Sequence, residues 1–292
     1  MNEFLDEYLR CRPKKALLEL TYNCNQACPF CYCVWLARPE LYHEELSIDD
    51  WKRVVALIVE HGTRQITFSG GEPLLKRGWE ELVAFARSLS SELKLTLFTN
   101  GTLVDERTFD VLLRYDCEFA TTFPGVRRLD RLTGRDARYS NAAAVIKAAA
   151  ERGLRVGASV PVSTLNLRDL RTTLSAACLA GANAITVGPV LPEGRATFNP
   201  EFLLSDKQFE SVKKKTEQVD ALFKNCSINF VTERACSCSV KENNYRFVRT
   251  GTCSAGRTFF AVGPGGYFRQ CLHSKVDEFF WKKLETAIAT SR

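Results

Sequence analysis

The chain has 292 residues, 45% hydrophobic and 25% charged, with a net charge of +6. This excludes a disordered or fibrous protein and suffices for one large α/β barrel, or for a medium domain with a small appendage. No apolar run approaches the roughly 20 residues that span a bilayer, so no membrane partner is expected. Residues 1–10 carry Asp and Glu without an apolar signal region, so a cytoplasmic location is expected. Basic residues are scattered singly and in pairs such as Arg127-Arg128, with one run of three, Lys213-Lys214-Lys215. That run, beside Glu210 and Glu217, reads as a solvated helix face, and no nucleic-acid partner is expected.

Strand and helix signals then alternate along the chain. Residues 16–20 read as a short apolar strand, followed by a cysteine-rich loop. A helix is predicted over 47–61, with Asp49 and Asp50 in its first turn and Gly62 as its stop. Strands are predicted at 65–68, 94–98, 118–122, 154–160 and 183–187, where β-branched and aromatic residues gather. Helices are predicted at 79–89, 105–114, 141–152 and 167–179. Six strands, each followed by a helix or long loop, imply a parallel sheet with right-handed crossovers. Six units fall short of a closed eight-stranded barrel, so the expected fold is α/β, a partial (β/α)6 TIM-like barrel. Its active site should lie at the C-terminal ends of the strands. The pattern changes near residue 200. A polar helix at 206–224 is followed by a β-hairpin around Gly263 to Gly266 and a last amphipathic helix at 278–289. The expected domains are 1–200, a barrel, and 201–292, a small hairpin and helix extension.

Twelve cysteines occupy positions 11, 24, 28, 31, 33, 117, 178, 226, 236, 238, 253 and 271. In a reducing cytosol a disulfide framework is not expected, and the clustering at 24–33 and 226–271 points to metal. Cys24, Cys28 and Cys31 form CxxxCxxC on the loop after the first strand. Thiolates are the usual ligands of iron–sulfur clusters, and three ligands leave one iron of a four-iron cluster open to a substrate or cofactor. Half of a zinc site, completed by Cys33 or His43, is the alternative. The Gly70-Gly71-Glu72-Pro73 segment follows the second predicted strand; its glycines allow close backbone approach to a ligand, and its carbonyl and Glu groups accept from an ammonium.

The CxxxCxxC spacing, with Phe30 before the third cysteine, together with Gly70-Gly71-Glu72-Pro73 resembles the radical S-adenosylmethionine (SAM) superfamily. The resemblance implies a [4Fe-4S] cluster on Cys24, Cys28 and Cys31, with SAM on the open iron. One electron, from a donor such as flavodoxin or ferredoxin, would cleave SAM to a 5′-deoxyadenosyl radical that takes a hydrogen atom from the substrate. It also implies SAM contacts at Phe30, Gly70, Gly71, Glu72, Pro73, Thr99, Asn100, Ser159 and Asn166. The 191–196 loop would lie by the adenine, and Arg135 or Arg138 would pair with the SAM carboxylate.

The segment from Cys253 to Cys271 resembles the start of a SPASM or "twitch" extension, in which a hairpin carries cysteines to an auxiliary cluster. The implied second [4Fe-4S] cluster would use Cys253 and Cys271 with Cys236 and Cys238. If one of that pair stays unligated, it becomes a candidate hydrogen-atom donor, as are Cys33, Cys117 and Cys226. Cys178 reads as core. The chain's end after Cys271 also fits a truncated SPASM domain.

Such proteins most often act on ribosomally made peptides by crosslinking, epimerisation or oxidation, so a peptide substrate is expected. With the first strand starting near residue 16, a separate leader-peptide recognition protein, or strand addition at the barrel edge, is expected to guide it. A small-molecule dehydrogenase or cyclase of natural-product or cofactor biosynthesis is the alternative. A non-catalytic iron–sulfur electron carrier is a second alternative.

Overall fold

A computed structural model of the chain describes residues 13–38, 44–134, 142–231, 255–273 and 280–283. The chain divides into two compact units. The first comprises the described residues of Met1–Cys24, Cys33–Leu97 and Cys236–Arg292; the second comprises those of Asn25–Tyr32 and Phe98–Ala235.

In the first unit, β1 (Lys15–Glu19) pairs in parallel with β2 (Gln65–Ser69), and β2 with β3 (Lys94–Thr99), the division between units falling after Leu97. Alternation drives the pairing: Ala16 and Leu18 on β1, Ile66 and Phe68 on β2, and Leu95 and Leu97 on β3 are all buried. Helix α1 (Ile48–Glu60) returns the chain from β1 to β2, and α2 (Trp79–Leu89) returns it from β2 to β3. Trp51, Val54, Val55 and Ile58 recur at helical spacing on α1 and are fully buried. Burying each such side chain contributes about 1.5–3 kcal/mol. Ser47 caps α1 by accepting from Asp50 N.

On the other side of β1 lies β8 (Phe259–Val262), also parallel to it. The expected hairpin follows: β8 turns at Gly263–Gly266 into β9 (Tyr267–Arg269), antiparallel, with Val262 opposite Phe268. Gly266 has a φ of +80°, which the turn requires. The predicted last helix is corrected in part. Phe280–Lys283 is a strand, β10, antiparallel to β9. The backbone of 280–283 takes its hydrogen bonds from the β9 edge at Tyr267–Arg269, a partner outside the segment itself.

The second unit continues the alternation. Helix α3 (Glu106–Arg114) precedes β4 (Cys117–Thr122), and the short α4 (Leu129–Thr133) and α5 (Ala142–Glu151) precede β5 (Val156–Val162). Helix α6 (Leu170–Leu179) leads to β6 (Ala184–Pro189), and α7 (Asp206–Asp220) to β7 (Ser227–Phe230). Strands β4, β5, β6 and β7 pair in parallel in that order. The sequence reading missed β7: its Ser-Ile-Asn-Phe alternation is short and half polar, and pairing with β6 decides it. Although α7 and β7 lie beyond residue 200, they extend the parallel sheet of this unit.

Candidate active site

Where β1 ends, its ladder with β2 continues into the loop that follows. Leu20 N donates to Ser69 O at 2.8 Å, Gly71 N to Thr21 O at 2.8 Å, and Glu72 N to Asn23 O at 2.8 Å. The seam brings the turn after β2 onto the three residues before Cys24. Both glycines are required there. Gly70 has a φ of +130°, and a Cβ on Gly71 would sit 2.2 Å from the Asn23 carbonyl oxygen. Glu72 is fully buried, and its Oε1 accepts from Leu74 N at 3.1 Å, capping the Pro73–Leu75 turn. Pro73 is buried at that turn's first position. Cys33 is buried, its thiol 3.9 Å from Gly70 O.

Residues Asn25–Tyr32 are held within the second unit. Ala27 N donates to Thr133 O at 3.0 Å, and Arg195 N donates to Cys31 O at 2.9 Å. Gly134, at the end of α4, has a φ of +65°, and a Cβ there would stand 2.3 Å from Ala27 O. Asn25 Nδ2 donates to Thr102 Oγ1 at 2.7 Å, and Asn100 Nδ2 to Asn25 Oδ1 at 2.8 Å. The segment after β3, predicted to lie by the ribose, therefore braces the cysteine loop through Asn100. Thr99 is buried, its hydroxyl accepting from Gly101 N. The 191–196 loop, expected near the adenine, reaches the cysteine loop through the Arg195–Cys31 bond. Ser159 and Phe30 are half-buried. Asn166 is buried and committed to local structure: it donates to the carbonyls of Pro124 and Pro161 and accepts from Ser163 N.

Cys24 is exposed, and Cys28 and Cys31 are half-buried. Cys28 Sγ lies 3.4 Å from Gln26 Oε1. Among the described residues, no three His, Cys, Asp or Glu side chains converge closely enough to hold a single metal ion. Cys117 opens β4, at the opposite end of that strand from the loop that follows it, and is buried with its thiol 3.8 Å from Glu118 O. That position suits packing better than contact with a substrate. Cys226 is buried and interacts with half-buried Cys178; burial, with Cys226 beside it, pushes the Cys178 thiol up to about 12. Cys271 is buried just past β9. Arg135, Arg138, Cys11, His43, Cys236, Cys238 and Cys253 lie outside the described residues.

One feature of the first unit escaped the sequence reading. Glu19, the last residue of β1, is fully buried and accepts from Arg269 Nη2 of β9, itself buried. Among the described residues, Glu19 Oε1 has no hydrogen-bond partner. Burial drives the carboxyl up to about 7, against the pull of Arg269. An acid that closes a short strand directly after the apolar run Ala-Leu-Leu is the signal that marks it.

Residues 18–177 match the Radical SAM superfamily. The chain belongs to the radical SAM superfamily. Among its relatives, the sporulation killing factor maturation protein SkfB of Bacillus subtilis is 30% identical over 195 residues, covering 66% of this chain and 46% of that protein. The PqqA peptide cyclase of Granulibacter bethesdensis is 28% identical over 269 residues, covering 89% and 67%. This chain thus spans about half the length of the first and two thirds of the second. Among solved structures, Streptococcus suis SuiB bound to S-adenosylmethionine matches with a TM-score of 0.71 at 17% identity, covering 94% of this chain and 64% of that one. Native anSMEcpe with bound AdoMet matches at 0.70 and 18%, covering 94% and 78%. The fold is that of the radical SAM enzymes, a partial TIM-like barrel with a C-terminal antiparallel hairpin. Membership of this superfamily implies a [4Fe-4S] cluster and SAM. The residues present suit them: one loop carries three thiols, and beside its start lies a glycine turn with no room for a Cβ. No helix among the described residues is long and apolar enough to cross a membrane.

Proposed function

We propose that this protein modifies a ribosomally made peptide by radical SAM chemistry, with Cys24, Cys28 and Cys31 holding the [4Fe-4S] cluster. The observation that supports this reading most is the seam joining Thr21 and Asn23 to Gly71 and Glu72, which sets the SAM-contacting turn against the start of the cysteine loop. When bound, the cluster and SAM would supply hydrogen-atom abstraction from the substrate. The chain's residues hold and orient. Cys24, Cys28 and Cys31 would hold the cluster, and the 70–73 turn would accept from the SAM amino group. The Asn25, Asn100 and Thr102 bonds keep the cysteine loop in register.

A peptide substrate is supported by the relatives, one named as a sporulation killing factor maturation protein and one as a PqqA peptide cyclase. An electron donor such as flavodoxin or ferredoxin and a separate leader-recognition protein complete the set. A second [4Fe-4S] cluster is assigned to Cys253 and Cys271 with Cys236 and Cys238, in the part of the chain that follows β7; if one of the Cys236 and Cys238 pair stays unligated, it would serve as hydrogen donor. The test is to incubate the reduced enzyme with SAM and each small precursor peptide encoded beside its gene. The expected result is 5′-deoxyadenosine release together with a mass change in one peptide. Release of 5′-deoxyadenosine with every peptide unchanged would refute the peptide assignment.

A further inference from the structure

Past Leu20 the chain leaves the sheet, and the amide of Tyr22 has no strand to donate to. Glu45, just ahead of α1, supplies the acceptor. Its Oε1 accepts from Tyr22 N at 2.8 Å and from Thr21 Oγ1 at 2.7 Å. The Thr21 hydroxyl accepts in turn from Asn23 N at 3.1 Å. The other oxygen, Oε2, accepts from Lys76 Nζ at 3.0 Å, just past the Pro73–Leu75 turn. Lys76 Nζ also donates to Leu46 O at 2.7 Å, and Leu46 N donates to Pro264 O in the β8–β9 turn at 2.9 Å. Glu45 and Leu46 therefore tie together three segments of the first unit: the start of the cysteine loop, the exit of the glycine turn and the tip of the hairpin. The side chains of Glu45 and Lys76 are 23% and 13% exposed, enough shielding for the bonds to persist against water. Burial pushes the Glu45 carboxyl upward, but the bonds from Thr21, Tyr22 and Lys76 outweigh it and hold the carboxyl below its usual range.

We propose that Glu45 is a positioning residue for the SAM-binding cluster: its Oε1 fixes the backbone of residues 21–23, and so the direction in which the chain delivers Cys24. The proposal rests on the assignment of the cluster to Cys24, Cys28 and Cys31. Residues that orient metal ligands from behind typically change metal affinity by about 10- to 100-fold when removed. Glu45 acts mainly as an acceptor at Oε1, so a neutral amide oxygen in its place should keep most of the function.

The test uses the full chain, reconstituted anaerobically, as wild type, Glu45→Ala, Glu45→Gln, Thr21→Val and Thr21→Ser. The readouts are iron per chain, the electron paramagnetic resonance spectrum of the reduced protein with and without SAM, and the melting temperature. Glu45→Ala and Thr21→Val should lose the SAM-induced spectral change. Glu45→Gln and Thr21→Ser should retain it. Thr21→Val leaves the Glu45–Tyr22 bond and the Lys76 pair in place, so it reports even if Glu45→Ala fails to fold. A normal SAM-induced change in a folded Glu45→Ala, or in Thr21→Val, would overturn the proposal. Equal losses in all four variants that track melting temperature would also overturn it, by reducing Glu45 to a stability role. A wild type that binds no iron would instead defeat the cluster assignment itself.

Discussion

Gly71→Ala perturbs the seam where it is tightest. The new Cβ would stand 2.2 Å from Asn23 O, 2.7 Å from Asn23 C and 2.9 Å from Tyr22 O. All three are backbone atoms, so no side-chain rotation relieves the contact. The turn and the loop must part by about 1 Å to reach ordinary contact distance. That opens the bonds Gly71 N to Thr21 O and Glu72 N to Asn23 O, each with a net contribution of about 1 kcal/mol. Residual overpacking adds about 1–3 kcal/mol. The sum is about 3–5 kcal/mol, and the exposed side of the loop at Asn23 and Cys24 is the part that yields. Gly153→Ala is the control, since its φ of +82° brings backbone strain but nothing lies within 4 Å of the new Cβ. It should cost about 1–2 kcal/mol. Urea unfolding of both variants, followed by SAM titration of the reconstituted proteins, gives the comparison. Gly71→Ala should lose more stability than Gly153→Ala and should bind SAM poorly. Wild-type stability with wild-type SAM binding in Gly71→Ala would refute the reasoning.

Glu19 makes stability depend on pH in an unusual direction. Its carboxyl titrates near 7 when folded and near 4.5 when unfolded, so the folded state holds the extra proton between those values. Stability from this group is full below about 4.5, falls as pH rises to about 7, and is flat above, a total of about 3 kcal/mol at most. Chemical denaturation from pH 4.5 to 8 should show that decline, and Glu19→Gln should flatten it; an equal decline in the variant would count against the assignment. Asn25→Ala removes the bonds to Thr102 and Asn100, at about 1 kcal/mol each, and should lower the urea midpoint by a matching amount. An unchanged midpoint would mean that solvent replaces those bonds freely. Asp105→Ala deletes the capping box of α3, in which Asp105 Oδ1 accepts from Thr108 N at 2.8 Å, and should cost about 1 kcal/mol by the same assay. A change below about 0.3 kcal/mol would show that the helix end is stabilised from elsewhere.

Much of the barrel was legible because its signals are local and repeated. The 79–89 helix matches α2 residue for residue, and Gln65–Ser69 and Lys94–Thr99 each differ from expectation by one residue. The site was legible for a different reason: a cysteine spacing and a glycine turn fall at the ends of successive strands, where a parallel sheet gathers function. What stayed hidden depends on distant partners. Strand β7 exists through β6, and Phe280–Lys283 turns from helix to strand because β9 offers an edge. The Glu19–Arg269 pair spans 250 positions of sequence. Glu45 looks like an ordinary surface acid until Thr21, Tyr22 and Lys76 are seen around it. Asn166 shows the converse: a polar residue at a suggestive strand end spends its amide on the carbonyls of Pro124 and Pro161.

The most direct test of the central claim is to reconstitute the protein anaerobically and count iron and sulfide, in the wild type and in the Cys24/Cys28/Cys31→Ala variant. The account predicts that the variant loses about four irons and four sulfides per chain, together with all SAM-dependent 5′-deoxyadenosine formation, whatever the C-terminal cysteines hold. Unchanged iron in the variant, or zinc bound in place of iron in the wild type, would contradict it.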